Sequence, residues 1–177
     1  MNLKEKIRLG ALFIMMFSLL FCGSTQEVKE PEKEPEPQAA TKDVSGEVAE
    51  MNKKLKQLSV LGFGYKGSNI GSDNYGEWVK KSVPVFKDLL QKLPPGYILQ
   101  ITGHTDAKGP EEPQGKKEGN IALSEKRARY IYDALKKYGI DDPAIKYKGA
   151  GSAELKNKNA PNAAENRRVT FMIVPDL

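Results

Sequence analysis

The chain is short of the residues that most often carry chemistry. It has one cysteine, Cys22, and one histidine, His104, in 177 residues. A single thiol cannot close an internal disulfide. One histidine, with no cysteine after residue 22, leaves no ligand set for zinc or a similar metal, so neither a metal nor any other cofactor is expected. Long apolar runs are scarce too. The one candidate, from Leu9 to Phe21, falls short of the roughly 20 residues that a membrane-spanning helix needs. Residues 23–42 have almost no large apolar side chains. Such a segment cannot bury enough surface to offset its ordering entropy.

What is present at the start has a clear order. Lys4, Lys6 and Arg8 precede the apolar run, and Cys22 ends it with Gly23 and Ser24 behind. A basic region followed by a short apolar stretch reads as a signal peptide over residues 1–21. Leu19-Leu20-Phe21-Cys22 resembles a bacterial lipobox, with Phe21 where a small residue is usual. The resemblance implies cleavage before Cys22 and its acylation, palmitate included. Several acyl chains at about 0.8 kcal/mol per buried CH₂ hold a protein in a bilayer. Residues 22–42, rich in proline and glutamate, then read as a disordered tether. Extended at roughly 3.3 Å per residue, it would reach about 65 Å at most. The charges of segments 1–21 and 22–42 cancel, so the net +5 belongs to residues 43–177. In an exported chain that charge points to an anionic envelope polymer and not to nucleic acid.

Val44, Val48, Met51, Leu55 and Leu58 recur at helical spacing, which predicts an amphipathic lead-in helix over residues 43–57. Leu61 to Tyr65 alternates large and small residues and reads as a strand, followed by a loop from Gly67 to Gly76. Trp78, Val79, Val83, Phe86, Leu89, Leu90 and Leu93 form one helical stripe. Pro84 inside it predicts a kink, or a new start capped by Ser82. Tyr97–Gly103 is rich in strand formers, and a polar loop runs from Asp106 to Gly119. Leu123, Arg127, Ala128, Ile131, Leu135 and Tyr138 mark another helix, with Gly139 at its C-terminal cap. Strands are expected over residues 145–148 and 169–174. The order strand–helix–strand–helix–strand–strand predicts an α+β, two-layer sandwich over residues 58–177, with a mixed sheet and helices on one face.

Four blocks carry a family resemblance, in order along residues 58–175. They are Ile101-Thr102-Gly103-His104-Thr105-Asp106-Ala107-Lys108-Gly109; Asn120, Leu123, Ser124, Arg127 and Ala128; Gly149-Ala150-Gly151-Ser152; and Asn166-Arg167-Arg168-Val169. Together they resemble the OmpA-like peptidoglycan-binding domain, the family of the OmpA C-terminal domain, peptidoglycan-associated lipoproteins and flagellar stator proteins. The resemblance implies non-covalent binding of the diaminopimelate-bearing stem peptide of peptidoglycan. By motif position Asp106 is the acidic ligand residue and Arg127 the basic one. Thr105, Asn120 and Ser124 are candidate further contacts. His104, Gly103, Gly109, Asn166, Arg167 and Arg168 are candidate supporting residues. Three departures stand out. The stretch from Asp106 to Arg127 is longer than the family pattern, its extra residues lying in Pro110–Gly119. Lys66 follows Tyr65 where the family often has an aspartate. The usual Gly-Arg before Asn166 is missing.

The residue types suit this chemistry. The distal end of diaminopimelate presents an ammonium and a carboxylate. A carboxylate such as Asp106 accepts from the first, and a planar guanidinium such as Arg127 holds the second by parallel hydrogen bonds. Near a helix start, free N–H groups and the dipole add to the attraction for an anion. Alternation along the last strand puts Arg167 and Arg168 on opposite faces, so at most one shares the ligand side. Neither a paired acid nor a nucleophile–base set stands near the signature, and no enzymatic activity is expected. The expected partners are peptidoglycan and, through acylated Cys22, outer-membrane lipid. Host matrix proteins are the alternative, with the chain as a surface-exposed adhesin or virulence lipoprotein. The expected location is the outer membrane, facing the periplasm. The stretch between Cys22 and the domain is too short for a transmembrane barrel.

Overall fold

The computed structural model describes residues 44–177. The expected signal peptide (1–21), the expected lipidation site Cys22 and the whole of the expected tether (22–42) lie outside the described residues. The described elements are helix α1 (Ser45–Lys56), helix α2 (Ser72–Gln91), strand β1 (Tyr97–Gly103), helix α3 (Asn120–Lys137), strand β2 (Ile145–Gly149) and strand β3 (Val169–Pro175), with a 3-10 turn at Ala164–Asn166 before β3. The strands form one mixed sheet in the order β2-β1-β3. β1 runs parallel to β2 and antiparallel to β3. The parallel pairing follows from α3, which carries the chain back to start β2 at the same end as β1. This is the expected α+β class.

One face of the sheet makes the core. Leu99 and Ile101 lie beside Ile145 on one side and beside Ile173 and Phe171 on the other. All of these are buried, together with Phe86 and Leu89 of α2 and Ala128, Ile131 and Leu135 of α3. Alternate positions on the other face carry Lys146, Lys148 and Met172, which are exposed. An aromatic cluster ties α2 to the sheet. Phe86 meets Phe171 edge-on at 4.8 Å between ring centroids, and Trp78 stacks on Phe171 at 6.1 Å. α3 ends in paired capping bonds, Gly139 N–H to the Lys136 carbonyl at 3.0 Å and Ile140 N–H to the Leu135 carbonyl at 3.1 Å. These bonds satisfy carbonyls that a helix end leaves open.

α1 contributes more than a lead-in. Met51 and Leu55 are buried in the same core, and Asn52 treats β3 as a neighbouring strand would. Its Nδ2 donates to the Ile173 carbonyl at 3.1 Å, and its Oδ1 accepts from the Ile173 N–H at 2.7 Å. A single bridge between Val60 and Val169 continues this cover along the edge. An unpaired edge invites pairing with another chain, and the contacts at Val169 and Ile173 occupy part of this one.

Two local expectations are corrected. Residues 61–65 do not form a strand, and only Val60 bridges to β3. Gly62 at φ +92° breaks the extended run, Lys66 sits at φ +57°, and Trp78 Nε1 takes the Leu58 carbonyl at 2.8 Å. The alternation of glycines came from an irregular loop. Helix α2 runs through Pro84 as one element from residue 72 to residue 91. Ser82 is buried within it and its hydroxyl has no hydrogen-bond partner. It therefore does not cap a second helix. α2 also begins inside the stretch expected as a loop.

Candidate functional site

β1 delivers the signature loop to the top of the sheet. After Gly103 the chain continues as His104-Thr105-Asp106. The His104 N–H donates to the Arg168 carbonyl at 2.9 Å, and the Thr105 N–H donates to the Gly151 carbonyl at 2.8 Å. Gly103 is required here by packing. A Cβ at this position would lie 1.8 Å from the Ser124 carbonyl oxygen, so the missing side chain admits the first turns of α3 rather than a ligand. The Ser124 hydroxyl donates to the Ile121 carbonyl at 2.8 Å and accepts from the Gly151 N–H at 2.9 Å. Ser124 is fully buried, is not on the cleft lining and braces α3 against the loop after β2.

A cleft of about 460 Å³ opens above these loops. Asp106, Thr105, Gly109, Asn120, Arg127 and Arg167 line it, drawn from three segments of the chain. His104, Gly103, Ser124, Asn166 and Arg168 do not. The lining also includes Lys108 and Leu123, which stand in the signature blocks without an assigned role, and Tyr65, Lys66, Pro110, Lys116, Lys117 and Glu118, which lie outside them. The signal for them was present. Lys66 was a departure from the family pattern, and Pro110, Lys116, Lys117 and Glu118 belong to the inserted loop.

Arg127 lies under the cleft with no exposed surface. Its Nε donates to the Gly67 carbonyl at 2.8 Å. One terminal nitrogen donates to the His104 carbonyl at 2.8 Å and the other to the Gly64 carbonyl at 3.2 Å. The Phe63 ring lies beside it at 5.4 Å. The guanidinium has more N–H groups than these bonds use. Burial and the nearby Arg167 lower its pKa to about 10, so it remains a cation at neutral pH. The three carbonyls fix the 63–67 loop against the signature loop through a single side chain.

Asp106 is buried, and Arg167 is its partner at 2.9 Å. Its other oxygen accepts from the Lys108 N–H at 3.2 Å. Arg167 is itself placed by a bond from its Nε to the Phe63 carbonyl at 2.8 Å. Arg168 points elsewhere, donating to the Glu154 carbonyl at 2.8 Å. Strand alternation therefore divides the pair, and Arg167 has the cleft side. Asn166 is buried and holds the preceding turn, its Nδ2 donating to the Ala160 and Pro161 carbonyls, each at 3.0 Å. The buried Thr105 hydroxyl has no hydrogen-bond partner. A buried polar group without one is costly, and this one belongs to a cleft residue.

His104 is fully buried. Its Nε2 is 2.8 Å from the Thr170 hydroxyl, and its Nδ1 has no hydrogen-bond partner. Burial, with Arg168 and Lys148 nearby, lowers its pKa to about 3. The ring is therefore neutral, and the 3.8 Å approach of Glu154 to Nδ1 is not an ion pair. Among the described residues no group of histidine, cysteine and carboxylate side chains could hold a metal ion, and no helix is long and apolar enough to cross a membrane.

A peptidoglycan-associated lipoprotein from Legionella pneumophila is 34% identical over 83 residues. That match spans 46% of this chain and 44% of the relative, less than half the length of either. The crystal structure of the peptidoglycan-associated lipoprotein from Burkholderia pseudomallei matches with a TM-score of 0.51 at 22% identity, covering 66% of this chain and 89% of that one. At that identity the likeness speaks for the fold. The model of the OmpA family matches residues 70–168, from just before α2 to the start of β3, with both the signature loop and Arg127 inside. With more than half of its length matched, the chain belongs to the OmpA family.

Proposed function

We propose that the domain binds the stem peptide of peptidoglycan by the diaminopimelate end, without catalysis. The observation that carries this reading is the convergence of Asp106, Arg127 and Arg167 on one cleft from three separate segments. In this reading the ligand ammonium joins Asp106, and its carboxylate meets Arg167 at the wall and the positive field of Arg127 beneath. The unpartnered Thr105 hydroxyl supplies a further hydrogen bond, and Asn120 lies on the same lining. The existing Asp106–Arg167 pair keeps the buried carboxylate compensated until ligand arrives. That matters because an unpaired buried charge is expensive.

Acylation of Cys22 would hold the protein in the outer membrane, facing the periplasm. Residues 22–42 would then span the gap to the wall, so the chain tethers one layer to the other. The name of the Legionella relative, a peptidoglycan-associated lipoprotein, supports both parts of the reading.

Asp106→Asn tests the site with little change of shape. It should abolish pull-down of the full chain on purified sacculi while the circular dichroism spectrum at room temperature stays that of the folded protein, even though loss of the charge partner of Arg167 lowers the melting temperature. Retention of wild-type pull-down by this variant would refute the assignment. Arg127→Ala is a poorer test, because it strands the buried His104 carbonyl and frees the more exposed Gly64 and Gly67 carbonyls, and a stranded buried acceptor costs about 1–3 kcal/mol. Lost binding in that variant would not separate ligand contact from a loosened loop.

A further inference from the structure

The cleft holds more positive charge than a grip on one zwitterionic group requires. Its two acids are already committed. Asp106 is paired with Arg167, and Glu118 is paired with Lys126 at 2.6 Å. Lys66, Lys108, Lys116 and Lys117 line the same cleft, and none of the four has an ion-pair partner among the described residues. The Lys66 and Lys108 ammonium groups are gathered about one ring, 5.6 Å and 5.2 Å from the centroid of Tyr65. Like charges collected without counterions raise the free energy of an empty cleft and attract an anion into it.

The inserted loop displays its two lysines on a fixed support. Gln114 and Lys117 exchange both backbone bonds, at 3.1 Å and 3.0 Å, which closes a two-residue turn. Gly115 takes the first central position at φ +59°, a conformation that glycine adopts there without strain. The base of the loop is tied down as well. The Glu111 carboxylate accepts from the Ser152 amide and hydroxyl and from Asn120 Nδ2. The Asn120 N–H donates to the Pro110 carbonyl at 2.8 Å, and the Ile121 N–H to the Glu111 carbonyl at 3.1 Å. Burial raises the Glu111 pKa, but the bonds from Ser152 and Asn120 outweigh it and leave the carboxyl below its usual value. The loop is therefore clamped at neutral pH.

We propose that Lys66, Lys108, Lys116 and Lys117 form a second anion subsite, which takes a carboxylate of the peptide beyond those of the diamino acid. This rests on the peptidoglycan reading above. The chemistry that fits is the free carboxylate of the acidic residue preceding the diamino acid in the stem peptide. A wall in which that group is a carboxamide would be a poorer ligand. The subsite gives the insertion a role in discrimination, where a plain surface excursion would have none.

The test uses the full chain in detergent and calorimetric titration with three ligands: free diaminopimelate, the stem peptide, and the same peptide amidated at the acidic residue. Amidation should weaken wild-type binding about tenfold, the order of one charge-assisted contact. Lys116→Gln/Lys117→Gln should lose a similar factor toward the unamidated peptide, lose most of the dependence on amidation, and weaken much less toward free diaminopimelate. Both lysines are exposed, so the variant keeps its fold, and its melting curve verifies this. Amidation that costs the wild type nothing, or costs both proteins equally, overturns the subsite alone. Failure of the wild type to bind diaminopimelate and both peptides overturns the site reading, and the subsite with it.

Discussion

Single residues in this domain perform tasks that their motif positions only half disclose. Arg127 lies in the helical pattern between Leu123 and Ile131, four residues from each, so its place on the inward face was readable from spacing. Its full burial under three carbonyls was not, because those acceptors come from the 64–67 loop and from His104, distant in sequence. His104 shows the same limit. Its position after β1 suggested a residue that orders the signature loop, while its partner Thr170 comes from a strand much later in the chain. The depressed pKa of His104 has a direct consequence. The unfolded chain takes up a proton near pH 6.5 and the folded protein only near pH 3, so the unfolded state binds more protons throughout that interval. The stability due to neutral His104 is complete above about pH 6.5 and declines as pH falls toward about 3. Melting temperature should therefore fall between pH 7 and pH 4, and His104→Gln should flatten part of that dependence. Identical pH profiles for the two proteins, followed by circular dichroism, would remove His104 from the account.

The elements were legible where a regular period ran long enough and obscure where tertiary contacts decided. β1 and β3 appeared from their strand-forming residues and α3 from its helical spacing, with nearly the right ends, because the core buries the side chains that carry those signals. The 61–65 segment misled because glycines at alternate positions mimic a strand pattern, while the bond from Trp78 to Leu58 selects a loop. Pro84 starts no second helix, since packing of Val79, Phe86 and Leu89 holds α2 together across a residue that costs helix stability on its own. The partial cover of β3 by α1 was not visible at all, because Asn52 among lysines and a methionine looks like a solvated polar position. Asn52→Ala should cost about 1–2 kcal/mol, the order expected when two partly buried backbone groups lose their partner. An unchanged urea midpoint would show that water replaces the side chain without penalty.

At the scale of the whole molecule, the family match begins at residue 70 but the core begins earlier. Met51, Leu55 and Leu58 are buried with the sheet residues, so a chain started at residue 58 would lack part of its own interior. Full burial of a single Met or Leu side chain is worth about 1.5–3 kcal/mol. Removal of α1 should therefore lower stability by several kcal/mol and uncover the β3 edge. Denaturant unfolding of the two lengths measures the first effect, and light scattering after concentration the second. Equal midpoints and no added scattering would make α1 dispensable.

The asparagine clamp between α1 and β3 also bears on how the domain carries mechanical load. Tension arriving from residues ahead of 44 enters through α1, before it can reach the signature loop or α3. The helix on the sheet edge therefore lies between such a pull and the loops that line the cleft, and the two bonds of Asn52 to Ile173 are among the contacts that resist its peeling.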